Sequence, residues 1–145
     1  MACGVCAGLR HIVERGEFWT LALNLNQNLP GRTLLVLNRH REHVSGLTAE
    51  GWTGLHPCIA RTTAALDDLF GPDQYHFAFP MNLDSHVHLH VVPRYASPRT
   101  WRGETYTDQH YGSLFGTEQR PASEEALTAL ADTLRKRPVN QRCGG

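Results

Sequence analysis

An alternation of histidines and aliphatic residues constrains this chain more than any other feature. Residues 86–92 read HVHLHVV, so His86, His88 and His90 occupy every second position. Side chains at alternate positions of a β-strand lie on the same face. The pattern therefore predicts a strand with three imidazoles on one face and the intervening aliphatic side chains in the core.

The histidines of this strand carry the side chain that serves as base, nucleophile or metal ligand near neutral pH. Three of them together favour a reactive or ligand-binding surface. Two alternatives remain at this level. One is a solvated strand face that carries histidines by chance. The other is a metal site formed by all three, although a single strand rarely wraps its ligands around one ion.

Hydrophobic patterning elsewhere predicts three more strands and two helices. Alternating or β-branched segments indicate strands at 17–26, 32–38 and 74–82. A helix capped by Thr48 is predicted to continue to about residue 70, with Pro57 marking a kink or a later start. A C-terminal helix is predicted near 123–137. The expected fold class is α+β, with an antiparallel sheet of about five strands, one long helix and the C-terminal helix.

Length and composition bound the class of protein. The chain has 145 residues, which suits one domain, with a core at about 3–95 and an extension at 96–145. The formal net charge is zero, which argues against a nucleic-acid partner. No apolar run approaches a membrane span, and residues 1–11 have no signal-peptide core. We therefore expect no membrane partner and a cytoplasmic location.

The four cysteines fall into different contexts. In a reducing compartment, the Cys-x-x-Cys pair Cys3 and Cys6 indicates metal or redox chemistry before it indicates a disulfide. Cys58 is expected in the core of the long helix. Cys143 lies in a segment expected to be a frayed tail, where it has no predicted role.

Residues 86–92 resemble the signature of the histidine triad superfamily of nucleotide hydrolases and transferases, in which three histidines alternate with hydrophobic residues. The resemblance extends over roughly residues 3–95. Residues 23–38, LNLNQNLPGRTLLVLN, are similar to the family's nucleoside-binding hairpin. Residues 38–52 are similar to its link between the second long strand and the main helix. The ending HVVPRY at 90–95 resembles the fragile-histidine-triad and related bacterial branches.

The resemblance implies a mechanism and assigns residues to it. The middle histidine, His88, would attack the α-phosphorus of a nucleotide and form a covalent intermediate that water hydrolyses, without a catalytic metal. His90 would donate to a phosphate oxygen, and His86 completes the catalytic triad. Asn24 stands where the family holds the ribose hydroxyls. Asn82 stands where the family contacts the phosphate.

Two positions depart from the family pattern. Only three residues separate Asn82 from His86, where the family has a Gly-rich loop, and Ser85 is the candidate for the missing substrate-binding hydroxyl. Arg32 stands where a histidine commonly follows the hairpin glycine. A cation there, or at Arg94, could meet a polyphosphate leaving group. The alternative for Arg32 is a solvated strand end.

The resemblance also gives the Cys-x-x-Cys pair a role. Many bacterial triad proteins, and the related galactose-1-phosphate uridylyltransferases, hold a structural zinc through such a pair, a histidine before the main helix and the first triad histidine. These ligands map onto Cys3, Cys6, His40 and His86, a closed Cys₂His₂ set. His43 is the other candidate for the third ligand. A reduced cysteine pair without metal is the alternative.

Two classes of function remain open. The first is an enzyme that acts at the α-phosphate of a dinucleoside polyphosphate or a nucleoside phosphoramidate. The second is a non-catalytic nucleotide-binding module, which the intact His88 disfavours. The expected partners are a nucleotide or dinucleotide substrate and, by resemblance, a second copy of the chain in a homodimer. Residues 94–112 could cover the leaving-group side, form an ordered loop or contact a second copy.

Overall fold

The computed structural model describes residues 3–81, 84–137 and 142–143. The elements, in chain order, are α1 (Gly4–Ala7), β1 (Ile12–Arg15), β2 (Trp19–Leu23), β3 (Thr33–Leu37), a short 3₁₀ turn (Val44–Gly46), α2 (Ala49–Phe70), β4 (Gln74–Ala78), β5 (His88–Arg94), β6 (Arg99–Trp101), β7 (Glu104–Tyr106) and α3 (Glu124–Lys136).

Five strands form one antiparallel sheet in the order β1-β2-β3-β5-β4, and β6 pairs with β7 in a separate hairpin. This arrangement confirms the predicted α+β class and the five-stranded antiparallel sheet. Leu34 of β3 lies opposite His90 of β5, and Val36 lies opposite His88. The central position of β5, between β3 and β4, fixes these histidines on a rigid part of the sheet.

The two faces of the sheet have different surroundings. Val87, Leu89 and Val91 are at most 3% exposed and lie in the main hydrophobic core, as the alternation predicts. The same core includes Leu55 and Leu66 of α2, so the long helix packs on this face. The opposite face, which we call the histidine face, carries His88 and His90.

The long helix confirms its predicted start. Thr48 is the N-cap, and its hydroxyl accepts a hydrogen bond from the Gly51 backbone N–H at 3.0 Å. The helix is continuous through Pro57, so the prediction of a start at that residue is wrong. Proline removes one helical hydrogen bond, and burial of residues on both sides of it, such as Leu55 and Cys58, holds the helix in place.

Several predicted strand boundaries differ from the structure, including those of β2, which spans Trp19–Leu23 of the predicted 17–26, and three strands were not predicted. β5 begins at His88, because the backbone of Val87 bonds instead to Arg41 and Leu37. β4 ends at Ala78, short of the predicted residue 82. The strand β1 and the hairpin β6–β7 were not predicted, since their three or four residues are too few to show alternation.

The C-terminal part of the chain packs into the main core. Ser123 caps α3, and the buried leucines at 127, 130 and 134 join the core formed by the sheet and α2. Cys143 is 2% exposed and forms a disulfide with Cys58. The prediction that Cys143 has no role is therefore wrong. A pairing between residues 85 positions apart cannot be deduced from sequence.

None of the helices in the described ranges has the length and apolar character needed to cross a membrane.

Candidate functional site

Four predicted ligands meet at the end of the histidine face. The ligand atoms of Cys3, Cys6, His40 and His86 all lie within 4.8 Å of one another. The Cys3 sulfur is 3.5 Å from His86 Nδ1, the Cys6 sulfur is 3.4 Å from His40 Nδ1, and the two Nδ1 atoms are 3.2 Å apart. Neighbouring ligands of a tetrahedral zinc are roughly 3.3–3.8 Å apart, given bonds of about 2.0–2.3 Å.

The surroundings of the two histidines fit metal ligation. His86 Nε2 donates to the Leu37 carbonyl oxygen at 2.6 Å, which leaves the lone pair of Nδ1 directed at the cysteines. His40 has Glu42 3.7 Å from its outer nitrogen. A ligand histidine commonly donates its other N–H to a carbonyl or carboxylate, as His86 does to Leu37. The donor set and its geometry therefore fit zinc, with His40 and not the exposed His43 in the cluster.

Asp84 supports this cluster, although the sequence analysis assigned it no role. Its Oδ1 accepts from the His86 backbone N–H at 3.0 Å and lies 3.6 Å from the Cys3 sulfur. Its Oδ2 accepts from the Val5 backbone N–H at 3.3 Å. Asp84 thus ties the N-terminal segment to the start of the histidine strand. An Asx turn, in which a carboxylate bonds to a backbone N–H two residues on, is the local signal that could have identified it.

His88 has one ring nitrogen fixed by the backbone. Its Nδ1 lies 2.6 Å from the carbonyl oxygen of His86. Because a carbonyl only accepts, Nδ1 carries the proton, and Nε2 keeps the lone pair that a nucleophile needs. The ring is half-buried and its centre is 5.1 Å from that of His90. The arrangement can hold a neutral imidazole with its reactive nitrogen preset.

His90 lies deeper on the same face. Burial, with smaller contributions from His88 and Arg32, lowers the pKa of His90 to about 4. His90 is therefore a neutral imidazole at pH 7. Its Nδ1 is buried without a hydrogen-bond partner among the described residues. An unpaired buried nitrogen costs free energy unless a ligand satisfies it, so His90 has the capacity to bind one.

The hairpin between β2 and β3 positions Asn24. The side-chain oxygen of Asn24 accepts from the Asn26 backbone N–H at 3.0 Å. Gln27 is fully buried and organises the turn by donating to the carbonyls of Asn24 and Arg32 and accepting from Gly31. Gly31 has φ +97°, and a Cβ there would lie 2.9 Å from a methyl of Leu66. Asn24 is half-exposed, so its carboxamide is accessible to a ligand.

Arg94 is engaged within the fold. Its guanidinium donates to both carboxylate oxygens of Asp108, at 2.6 and 3.0 Å, and to the Ser113 carbonyl at 2.7 Å. Both members of the ion pair have side chains at most 2% exposed. Arg94 is therefore not placed to meet a leaving group, contrary to the expectation. The partner carboxylate lies in an irregular segment that the sequence patterns did not connect to Arg94.

The remaining predicted contacts have less defined surroundings. Ser85 is exposed and lies next to His86 in the chain. Asn82 falls outside the described residues. Arg32 is 6% exposed, so the alternative of a solvated strand end is wrong. A cavity of about 360 Å³ adjoins the cluster of Cys3, Cys6, His40 and His86 and is lined in part by Thr20, Val36 and His86. Val36 is the cross-strand neighbour of His88, so this cavity lies close to His88.

Comparison with solved structures identifies the fold. A hypothetical histidine triad nucleotide-binding protein from Sulfolobus tokodaii superimposes with a TM-score of 0.68 at 14% identity, over 91% of this chain and 86% of that one. A Zn-bound histidine triad family protein from Mycobacterium smegmatis gives 0.64 at 21% identity, over 92% and 94%. The Plasmodium falciparum diadenosine triphosphate hydrolase gives 0.63 at 17% identity, over 88% and 76%.

The chain therefore has the fold of the histidine triad proteins. Its sequence matches no protein-family model and no curated protein. The likeness is one of three-dimensional structure, at sequence identities between 14% and 21% for the three proteins named above.

Proposed function

We propose that this protein is a histidine triad nucleotide hydrolase or transferase that acts at the α-phosphate of its substrate. The hydrogen bond from His88 Nδ1 to the His86 carbonyl carries the proposal, because in the neutral imidazole it places the proton on Nδ1 and the lone pair on Nε2, where it can attack. The fold and the alternation at 86–92 support the same assignment. The substrate class is a dinucleoside polyphosphate or a nucleoside phosphoramidate.

The chemistry follows from the preset nitrogen. His88 Nε2 attacks the α-phosphorus, a P–N bond forms, and the bond from phosphorus to the leaving group breaks. The proton stays on Nδ1, hydrogen-bonded to the His86 carbonyl, so the phosphorylated ring carries a positive charge. Water then attacks phosphorus, the P–N bond breaks, and one water proton is released to solvent. In a transferase another hydroxyl or amine replaces the water.

Four further residues hold the substrate in this proposal. His90 donates from one ring nitrogen to a phosphate oxygen, where negative charge develops in the transition state. Asn24 binds the ribose hydroxyls. Ser85 and Asn82 remain the candidates for the phosphate contact on the loop before His86. A non-catalytic nucleotide-binding module is the competing function.

Cys3, Cys6, His40 and His86 are proposed to hold a structural zinc. A bound zinc supplies a fixed cross-link between the N-terminal segment, the β3–α2 link and the start of β5. His88, the proposed nucleophile, is not among its ligands.

A homodimer is proposed from the resemblance and from the free edge of β4. Phe77 on this strand is 45% exposed and Trp52 on α2 is 46% exposed. A second copy would cover both. Sedimentation of the parent protein and of Phe77→Asp tests this, since the parent should sediment at twice the mass of the variant. A monomeric parent would contradict it.

A turnover screen with His88→Asn as the control tests the enzymatic function. The parent protein should release nucleotide from at least one of three substrate types: diadenosine polyphosphates, an adenosine phosphoramidate and an adenylylated sulfate. His88→Asn should bind the same substrate and release nothing, because its amide nitrogen cannot attack phosphorus. Turnover by His88→Asn near the parent rate would contradict the covalent mechanism. Nucleotide binding by a parent protein that turns over none of them would favour the binding module.

A further inference from the structure

Arg32 is a buried cation that has no counter-charge among the residues described by the structure. Its side chain donates from Nη1 to the Asn28 carboxamide oxygen at 2.8 Å, and the Phe115 ring centre lies 5.6 Å from its Cζ. Its Nε is buried without a hydrogen-bond partner. No carboxylate lies within 4.0 Å of it among residues 3–81, 84–137 and 142–143. Burial of a charge without a partner is costly.

The other two buried arginines are treated differently. Arg94 forms a two-pronged ion pair with Asp108. Arg61, on α2, has the Glu14 carboxylate 3.7 Å from its Nε. The fold therefore supplies an acidic partner where a buried arginine has a structural role. Arg32 contacts a carboxamide and an aromatic ring, both of which are neutral. Its positive charge is therefore available to a ligand.

The position of Arg32 indicates what could meet it. The Asn24 backbone N–H donates to the Arg32 carbonyl at 3.1 Å, so the two residues are neighbours across the β2–β3 hairpin. On the other side, Leu34 pairs with His90, and Arg32 is two residues from Leu34 on the same face. Arg32 is thus diagonal to His90, within reach of a long side chain. Arg32 lies between Asn24 and His90.

We propose that Arg32 binds the 5′-phosphate of the substrate nucleotide and supplies the positive charge of the pocket. The inference rests on the proposed function, because it takes Asn24 as the ribose contact and His90 as a phosphate contact. A nucleotide whose ribose contacts Asn24 and whose phosphate contacts His90 must extend past the Arg32 guanidinium, which lies between these two residues. Arg32 is a departure from the histidine that the family commonly has here, so the charge is a property of this chain.

The protonation state of His90 explains why a positive charge at Arg32 would help to bind phosphate. His90 is neutral at pH 7, because burial lowers its pKa, and it can donate a hydrogen bond without contributing charge. A guanidinium stays protonated throughout the physiological range. Charge-assisted hydrogen bonds to phosphate are about twice as strong as neutral ones. In this proposal His90 supplies a neutral hydrogen-bond donor and Arg32 supplies a permanent positive charge.

A purely structural role for Arg32 makes a different prediction. If the guanidinium served only to hold Asn28 and Phe115, its loss would disturb the hairpin that carries Asn24. Nucleosides and nucleotides would then lose affinity together. A phosphate contact instead affects only the ligand that carries a phosphate, and this difference separates the two roles.

Calorimetry on the full-length parent and three variants tests the assignment. AMP, GMP, CMP and UMP are titrated beside their nucleosides, and the pair that binds best to the parent is used throughout. Arg32→Gln should weaken the monophosphate by about ten-fold or more and change the nucleoside by less than about two-fold. Arg32→Lys, which keeps the charge, should restore part of the preference. Arg102→Gln removes an exposed arginine on the β6–β7 turn and should leave the affinities for both ligands unchanged.

Each outcome bears on the proposal. Equal losses for monophosphate and nucleoside in Arg32→Gln, or no loss for either, would overturn it. If Arg32→Gln does not fold, Arg32→Lys decides: a monophosphate preference no greater than one-tenth of the parent's would show that the charge alone does not bind phosphate, and would overturn the proposal as stated. A parent protein that binds neither ligand would reject the proposed function itself, before any variant is compared.

Discussion

The two ends of β5 are held by different chemistry. At the N-terminal end, His86 brings its ring to Cys3, Cys6 and His40, and the four donor atoms converge. At the C-terminal end, Arg94 bonds to Asp108, whose carboxylate also accepts from the backbone N–H groups of Tyr95 and His110. The N-terminal end gathers four atoms that could ligate a metal. The C-terminal end pairs hydrogen-bond donors of Arg94, Tyr95 and His110 with the acceptor oxygens of Asp108.

The difference shows how a ligand-binding residue can be told from a structural one. The criterion is whether contacts within the fold already satisfy its hydrogen bonds and its charge. Arg94 and Arg32 lie on the same face and were equally good candidates for binding an anion. Arg94 has its counter-charge inside the fold, so it is scaffold. Arg32 has no such counter-charge among the described residues, and we propose that it and the four metal-binding candidates bind ligands. Five predictions follow from the comparison, in decreasing order of expected effect.

Loss of the zinc ligands should have the largest effect. The parent protein should contain about one zinc per chain, and Cys3→Ser combined with Cys6→Ser should contain none. The melting temperature should fall by on the order of 10 °C, because metal binding to a site that exists only in the folded state stabilises that state. Metal analysis by mass spectrometry and thermal melts measure both.

Two histidine variants sharpen the zinc prediction. His40→Ala should reduce the zinc content, whereas His43→Ala, three residues on and exposed, should leave it unchanged. If the parent protein, purified without exposure to a chelator, contains no zinc, the proposed metal site is wrong. Equal zinc loss from both variants would reject the choice of His40.

Breaking the ion pair at the other end should cost somewhat less. Asp108→Asn leaves the Arg94 charge buried without a partner, which typically costs about 3–5 kcal/mol of unfolding free energy. Chemical denaturation measures it. Asp132→Asn, which breaks an exposed pair with Arg135, should change little. Arg94→Met combined with Asp108→Asn removes the unpaired charge and keeps a side-chain oxygen for the backbone N–H groups of Tyr95 and His110, so it should recover much of the loss. A loss in the double variant as large as in Asp108→Asn would contradict the charge argument.

The pH dependence of the same ion pair has a definite sign. Burial alone would raise the pKa of Asp108, but hydrogen bonds from Arg94, Tyr95 and His110 outweigh it and hold the pKa below its ordinary value. A lowered pKa in the folded state contributes stability above the unfolded pKa of about 3.9, and this contribution is lost as the pH falls through the folded value. Asp108→Asn should therefore flatten the loss of stability below pH 4.

The disulfide should contribute a similar or smaller amount. Cys58→Ala, Cys143→Ala and the double variant should each lower the unfolding free energy by about 2–4 kcal/mol, with no additivity, because either change removes the same bond. Zinc content should not change. Denatured, unreduced, chelated protein should expose only the thiols of Cys3 and Cys6 to an alkylating reagent. Four reactive thiols under those conditions would show that the bond is absent.

Asn24 should have the smallest effect, and it reports on the region between the two ends. Asn24→Ala should weaken ribonucleotide binding by roughly ten-fold, since a lost pair of hydrogen bonds to buried hydroxyls costs about 1–3 kcal/mol. A 2′-deoxynucleotide should lose less. Calorimetry with both ligands on both proteins gives the four affinities. Equal losses would show that Asn24 acts through the hairpin and not on the sugar.

The sequence predicted the parts of this molecule whose signals are local. The alternation at 86–92 located strand β5, the Thr48 cap located the start of α2, and hydrophobic patterning located α3. The spacing of Cys3 and Cys6, joined to the family resemblance, named a ligand set whose members the structure brings together. In each case a few adjacent residues carry the information, because dihedral periodicity, capping and ligand spacing act over short distances.

The parts that were missed depend on pairings between distant residues. The Cys58–Cys143 disulfide and the Arg94–Asp108 ion pair join segments whose proximity only the folded chain reveals. The tautomer of His88 depends on a backbone carbonyl, which every residue possesses and no pattern marks. The burial of Arg32 likewise follows from Phe115, on a segment that the sequence analysis left irregular.

His86 has a consequence for how proteins of this kind can diverge. Its ring is a proposed zinc ligand, and its carbonyl oxygen holds the proton of His88. The ring belongs to histidine alone, whereas the carbonyl is present whatever side chain the position carries. A lineage could therefore exchange His86 and abandon the metal while keeping the nucleophile oriented, provided that the local backbone path survived. Mutational drift is expected to erase the proposed metal site before it disturbs the orientation of the His88 ring.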